Sequence, residues 1–274
     1  MNQHAAPASE VEVRTLHSAA EMTEAAEVLA EIWSPGGTGE APMEPGLLIA
    51  MEHAGNYVSA AFSQDQMIGA TAGFFGAPDS AGRSWMMHSH IAGVLPAHQG
   101  LGAGAAMKQH QRQWCLQRGV TVMEWTFDPL ITRNARFNLH TLGAQLVEYL
   151  PHFYGQMRDA TNAGQGSDRA LIRWQLDAPT PGAEPEPGLV LLNIDDDGVP
   201  VPAHGSTEQM LAAAADYDVV GLSVPKSIPQ LRAERPEASA AWRSALREAM
   251  HPLMEAGWKV CGMTPKGMYL LQRG

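Results

Sequence analysis

Two histidines and a run of glycines are the parts of this chain whose types and spacing could do chemistry. His88 and His90 stand two apart in the apolar stretch SWMMHSHIAGVLP, Ser84 to Pro96. That stretch reads as a strand, so the two side chains share one face. An imidazole whose ordinary pKa is near ~6.5 can take a proton at neutral pH, directly or through water. The same pair could instead hydrogen-bond inside a polar cleft. It could also give two ligands to zinc, although no third ligand stands at an informative spacing. Just past the strand, Pro96 removes a ladder donor, and Gln99 to Gly104 reads QGLGAG. Glycines at 100, 102 and 104 leave backbone amides uncovered, and the helix that follows points its unpaired first-turn N–H groups at the same place. That is an anion site of a size for pyrophosphate, or else a tight strand-to-helix connection and no more. The order is not the G-x-G-x-x-G of a dinucleotide fold, and the Gly-Lys-Ser/Thr of a P-loop is absent.

The elements that must position these residues can be read from periodicity. Val11 to Leu16 alternates as a strand, and Ser18 with Glu21 makes a capping box for a helix that keeps Met22, Ala26, Leu29 and Trp33 on one side. Pro35 and glycines 36, 37 and 39 open a loop that is either a linker or a wall of a binding site. A short helix, Leu47 to His53, precedes strands Tyr57 to Phe62, Met67 to Phe75 and Trp85 to Leu95. The helix after the glycines carries Ala103, Met107, His110 and Trp114 as its stripe and stops at Gly119. His110 reads as a packed histidine and not as a ligand. Strand Val120 to Phe127, a helix from Pro129 to Gly143, and strands Gln145 to Leu150 and Ala170 to Leu176 follow.

Asp177 to Gly188 contains four prolines and reads as an extended linker. Beyond it lie strand Leu189 to Ile194, a helix over Thr207 to Ala215, strand Asp218 to Val224, a long helix from Pro236 that meets Pro252, and a closing hairpin, Trp258 to Met263 with Met268 to Gln272. This tail repeats in outline the strand, Val-Pro, helix, Gly, strand order of the middle of the chain, without the glycine loop.

Gln99-x-x-Gly-x-Gly after a strand that ends Val94-Leu95-Pro96 resembles the acetyl-CoA loop of the GNAT superfamily of N-acyltransferases. The order βααβββαβαββ over the first 176 residues or so is that of a GNAT domain. The pair His88-x-His90 is similar to the histidine pair on the fourth strand of arylalkylamine N-acetyltransferases in the same superfamily. Trp125 to Leu130, Arg133 to Asn138, Leu142 to Ala144, Tyr154-Gly155, Ser167 to Arg169 with Trp174, and Trp242-Arg243 resemble the GNAT subgroup associated with N-acylamino-acid racemases.

The resemblance implies an α/β (α+β) GNAT fold: a mixed central sheet flanked by helices over 11–177, a linker over 178–188, and a smaller α/β unit over 189–274 that looks like a degenerate half-GNAT. It implies a CoA-dependent N-acyltransferase, with acetyl-CoA or another acyl-CoA as co-substrate and no metal. The expected cofactor-binding residues are Val94, Leu95, Gln99, Gly100, Leu101, Gly102, Ala103 and Gly104, with Asn134 and Asn138 reaching the pantetheine amides or merely capping and packing. A Val94 N–H would face the developing oxyanion. His88 or His90 would take the proton of the acceptor amine. The tyrosine that protonates the thiolate in many GNAT enzymes is replaced here by Leu139, and Tyr154 is the substitute by chemistry, or else an interfacial tyrosine. Trp125, Asp168 and Arg169 are expected at the acceptor, the last two holding an amino acid's ammonium and carboxylate or forming a structural ion pair.

Composition sets the outer bounds. A chain of 274 residues has room for one large domain or two modest ones. A net charge of −11 without a basic cluster argues against nucleic acid and anionic membranes as partners. Cys115 and Cys261 make neither a metal-ligand spacing nor a disulfide framework. The first ten residues read as a polar, Ala-rich tail without the order of a secretion signal, so a cytoplasmic protein is expected, with a small-molecule amine as acceptor and a homodimer as the candidate assembly.

Overall fold

A computed structural model describes residues 11–34, 41–78, 84–155, 166–179, 182 and 184–274. The tail of residues 1–10, expected to be disordered, and the glycines at 36, 37 and 39 fall outside these residues, as do parts of the expected linker. The fold is mixed α/β, with two sheets and flanking helices, and the chain divides into two compact units, one running to Met123 and the other from Glu124.

In the first unit, β1 (Glu12–Thr15), α1 (Ala19–Trp33), α2 (Pro45–His53), β2 (Tyr57–Ser63), β3 (Gln66–Gly76) and β4 (Met86–Val94) lead through a 3₁₀ turn at Pro96–His98 to α3 (Ala103–Leu116). The four strands pair antiparallel in sequence order. The expected capping box starts α1, with the Glu21 N–H donating to Ser18 Oγ and the Ser18 N–H to the Glu21 carboxylate. Two packed layers form around the sheet. Leu16, Met22, Leu29, Leu48, Val58 and Met67 close the side of α1 and α2. Ala61, Ile68, Ala103 and Met107 close the side of α3. Trp33, expected on the buried face of α1, is instead about half exposed at its end.

The inward face of α3 differs from the apolar stripe of the sequence. Lys108, Gln111 and Cys115 are buried beside Ala103 and Met107, while His110 and Trp114 lie at its margin. Polar residues at buried positions hide a helix's true inner face from hydropathy. His110 is packed as expected, its Nδ1 2.7 Å from the Tyr57 hydroxyl, which in turn accepts from Ser59 Oγ.

Burial pushes the Lys108 ammonium down to about 7. An unfolded lysine titrates near ~10.4, so between about pH 7 and that value the unfolded chain binds more protons and stability rises with pH. Burial also raises Cys115 to about 12, which works the other way once the unfolded thiol ionises above about pH 8.5. Comparing the protein with its Lys108→Met variant removes the cysteines from the balance. Urea unfolding should show the wild-type stability gaining about 1.5 kcal/mol on the variant between about pH 7 and 8.5. A pH-independent difference would mean that Lys108 titrates at an ordinary value.

The second unit begins inside β5 (Val122–Phe127) and continues with α4 (Thr132–Arg136), a π-helical turn at Phe137–Thr141, β6 (Gln145–Leu150) and β7 (Arg169–Gln175). Its strands lie in the order β5-β7-β6. The helix expected from Pro129 to Gly143 is therefore shorter and changes pitch; the Leu142 N–H bonds to the Phe137 carbonyl five residues back. The same unit holds β8 (Leu189–Ile194), β9 (Pro200–Pro202), α5 (Thr207–Ala214), β10 (Val219–Ser223), α6 (Ile228–Glu234), α7 (Pro236–Glu255), β11 (Trp258–Met263) and β12 (Met268–Arg273). The second sheet has the order β11-β12-β10-β8-β9, with β8 and β10 parallel and the other pairs antiparallel.

Helix α7 buries Trp242, Leu246, Ala249 and Leu253, the register read from sequence. On the same helix Arg243 grips Asp128 with two bonds of 2.6 and 2.7 Å, and Arg247 grips Asp168 with two of 2.9 and 3.0 Å. Burial alone would raise both carboxyls, but the arginine bonds outweigh it and hold them below the usual carboxylate range. The Tyr269 hydroxyl donates to the Pro129 carbonyl at 2.6 Å and Thr132 Oγ1 to the Pro225 carbonyl at 2.8 Å. Residues far apart in sequence thus make one packed body.

Candidate active site

The glycine loop has the backbone that its sequence demands. Gly100 and Gly102 hold φ values of +86° and +81°, a left-handed region that other residues adopt at a cost, and Gly102 is the N-cap of α3. A Cβ built on Gly100, Gly102 or Gly104 would meet nothing within 4 Å, so no protein atom crowds the side of the loop where a side chain would stand. No side chain caps α3. The first α-helical backbone bond is from the Ala106 N–H to the Gly102 carbonyl, which leaves the amides before it for a ligand. Ala103 is buried, Leu101 is exposed, and Gln99 Nε2 donates to the Val94 carbonyl at 3.3 Å, bracing the turn. Leu95 is buried and its N–H bonds to the Ile68 carbonyl at 2.8 Å. The uncapped start of a 14-residue helix is a place where first-turn amides can receive an anion.

His88 and His90 lie on β4 with ring centroids 6.1 Å apart. Both stand against Phe74 of β3, at 5.0 and 5.8 Å. They do share a face, but not by plain alternation. β4 carries a bulge: His88 pairs with Phe74 and Ile91 with Ala72, so Ser89 and His90 together oppose Gly73. Ser89 points the other way, to the α3 side, and is buried. His90 reaches the surface, yet the protein around its ring is dense enough that desolvation lowers its pKa. The imidazole is then neutral at pH 7 and able to accept a proton.

The other expected site residues lie in the second unit. Tyr154 is half exposed, its hydroxyl 3.2 Å from Thr126 Oγ1, with the Arg169 guanidinium 5.1 Å from its ring centroid. The turn that presents it is tightly held. The Tyr154 N–H donates to Ser167 Oγ, which donates to the Gly155 carbonyl, and the His152 N–H donates to Asp168 at a positive φ of 52°. Asp168 is buried and also accepts from the Tyr149 hydroxyl and Arg247. A substrate ammonium would have to compete with those donors. Arg169 is buried and one of its guanidinium nitrogens donates to the Asp168 carbonyl. Trp125 packs edge-on to Trp174, and Leu139 is buried. Asn138 is buried in the π-helical turn, and Asn134 lies on α4, partly exposed.

Three features escaped the sequence: the bulge, the buried Lys108, and the two arginine grips from α7. Cys115, in helical register with Lys108 and Gln111, was the one signal that α3 turns that side inward. Among the described residues no group of three His, Cys, Asp or Glu could hold a metal ion, and no helix is long and apolar enough to cross a membrane.

No family model and no curated protein matches the chain. Solved structures do. A structure of yncA from Salmonella typhimurium with its cofactor acetyl-CoA is 18% identical, covering 63% of this chain and 99% of its own, with a TM-score of 0.48. An N-acetyltransferase from Staphylococcus aureus Mu50 is 14% identical over 62% of this chain and 100% of its own, with a TM-score of 0.46. Naa50 of Arabidopsis thaliana, in complex with a bisubstrate analogue, is 13% identical over 60% and 97%, with a TM-score of 0.44. Likenesses of this degree decide neither family nor activity.

Proposed function

We propose that the protein is an acyl-CoA N-acyltransferase that moves an acetyl or other short acyl group to the amine of a small, amino-acid-like acceptor. The observation that carries this reading is the uncapped α3, whose free amides open on a glycine loop with two left-handed glycines, following directly on the strand that bears the histidine pair. Gln99 to Gly104 would hold the pyrophosphate, Val94 and Leu95 the pantetheine arm, with Asn134 and Asn138 as further candidates for it. The acyl-CoA supplies an activated thioester.

His88 or His90 takes the proton that the acceptor ammonium must lose, because only the free amine attacks. The amide C–N bond forms as the C–S bond breaks, and the departing thiolate takes a proton, for which Tyr154 is the candidate donor. Trp125, Asp168 and Arg169 are assigned to the acceptor side. In functional terms residues 11–177 carry the transferase groups, 178–188 connect, and 189–274 form the additional α/β unit. The partners are small molecules, with neither nucleic acid nor membrane among them. A buried leucine at 139 favours a second reading, an acyl-CoA-binding module without turnover.

A thermal-shift series with acetyl-CoA and longer acyl-CoAs, followed by a free-thiol assay against pooled amines, separates the two. Acetyl-CoA should raise the melting temperature, and Gly102→Glu should abolish the rise by filling the nest and adding like charge. Stabilisation without thiol release would support the binding module. Unchanged binding by Gly102→Glu would end the loop assignment.

A further inference from the structure

We propose that Lys108, acting through Ser89, is a positioning residue for the histidine pair, an inference that rests on the reading of His88 and His90 as proton acceptors. The bulge in β4 is gripped from behind. Ser89 Oγ accepts from Lys108 Nζ at 2.8 Å and donates to Gln111 Oε1 at 2.9 Å, and all three side chains are buried. On the neighbouring strand, Gly73 leaves the room this needs. A Cβ there would stand 2.8 Å from the His88 carbonyl and 3.0 Å from Gln111 Nε2. The two-against-one pairing is therefore fixed by a hydroxyl bound to two α3 side chains on one face and a missing methyl opposite.

The bulge puts His90 and the residues beyond it on their proper faces. Past the bulge, Gly93 faces the α1 side, where a Cβ would meet Ile32 and Trp33, and Val94 packs with the cluster on the α3 side. One residue fewer would exchange those faces. The groups around the Lys108 amine include Ser89 of β4, Gln111 and Cys115 of its own helix, and Met123 near the start of β5. Since α3 starts at the glycine loop, one rigid helix carries both the anion nest and the clamp on the histidine strand. That gives Lys108 a task that a leucine there could not perform: holding a hydroxyl, and through it a backbone kink.

The test uses the full chain with labelled histidine, His90 being assigned by its loss in His90→Gln. Titration by NMR should show the His90 midpoint below the usual ~6.5 in the wild type and moved back towards it in Lys108→Met and Ser89→Ala. In the thiol-release assay both variants should lose about 10-fold in kcat, with KM for acyl-CoA unchanged, and Ser89→Thr, which keeps the hydroxyl, should restore both readouts. If Lys108→Met does not fold, Ser89→Ala, which removes a single oxygen, carries the test. Folded variants with wild-type histidine midpoints would overturn the proposal. Absence of thiol release in the wild type would instead count against the transferase reading, and the titration alone would then decide whether Lys108 positions the pair.

Discussion

Ending the chain after Asp177 is expected to give an insoluble, inactive fragment. Such a cut removes α7, and with it Arg243 and Arg247, the partners of Asp128 and Asp168. It also removes the Tyr269 bond to the Pro129 carbonyl and the Pro225 carbonyl that Thr132 caps. Trp242, Leu246 and Leu253 are fully buried in the same body, so their loss bares apolar surface on what remains. In the full chain, the point variant Arg243→Ala leaves Asp128 buried without its counter-charge. That costs about 3–5 kcal/mol, against a total of only ~5–15 kcal/mol for a typical domain. The checks are the yield of soluble 1–177, its cooperative melting, and the melting temperature of the point variant. A soluble, fully active 1–177 would show residues 178–274 to be an independent appendage.

On the proposed reading, replacing the histidine that accepts the amine's proton is expected to lower turnover by ~10²–10⁴-fold while leaving the acetyl-CoA thermal shift intact. His90 is the stronger candidate. Its pKa is lowered by desolvation, so its neutral form dominates at pH 7. Activity should then fall as pH drops below the lowered pKa, the limb on which the imidazole becomes charged and can no longer accept a proton. His90→Ala should flatten that limb, whereas His88→Ala should keep it if His90 is the group that accepts the proton. Equal, small effects from both replacements would leave the pair without a role in proton transfer. A limb unchanged in His90→Ala would pass the role to another group.

Much of the architecture was legible because it depends on local chemistry. The strands from Tyr57 to Val94 alternate or run apolar, Ser18 and Glu21 announce α1, and Gly119 and Gly143, both at positive φ, mark true ends. The glycine loop could be read for the same reason, since a left-handed φ at 100 and 102 asks for glycine. What stayed hidden depends on partners distant in sequence. Gly73 opposite Ser89 looks like any strand glycine until the register is known, and Lys108 looks like a solvent lysine until its helix is rotated into place. Asp168 could be read equally as a substrate ligand or as half of an ion pair, and its partner Arg247 lies 79 positions away. Short elements such as β9 and α6 gave no periodicity long enough to register.

The boundary between the compact units, falling at Met123 and Glu124 inside a strand, sets an order for the chain as it leaves the ribosome. Strands β1 to β4 and helix α3 of the first unit have all been made by then. The second must wait, since Asp128 meets Arg243 only 115 residues later and Asp168 meets Arg247 only 79 residues later. At the usual ~5–20 residues per second, the later of the two acids alone waits about 4–16 s. Through that interval Asp128 and Asp168 lack their arginines and β6 has no α7 to lie against, while the nascent protein already carries the residues of the histidine strand and glycine loop. Expression hosts that slow elongation or lack chaperones would meet their difficulty in that stretch of the message, and not at the glycine-rich site.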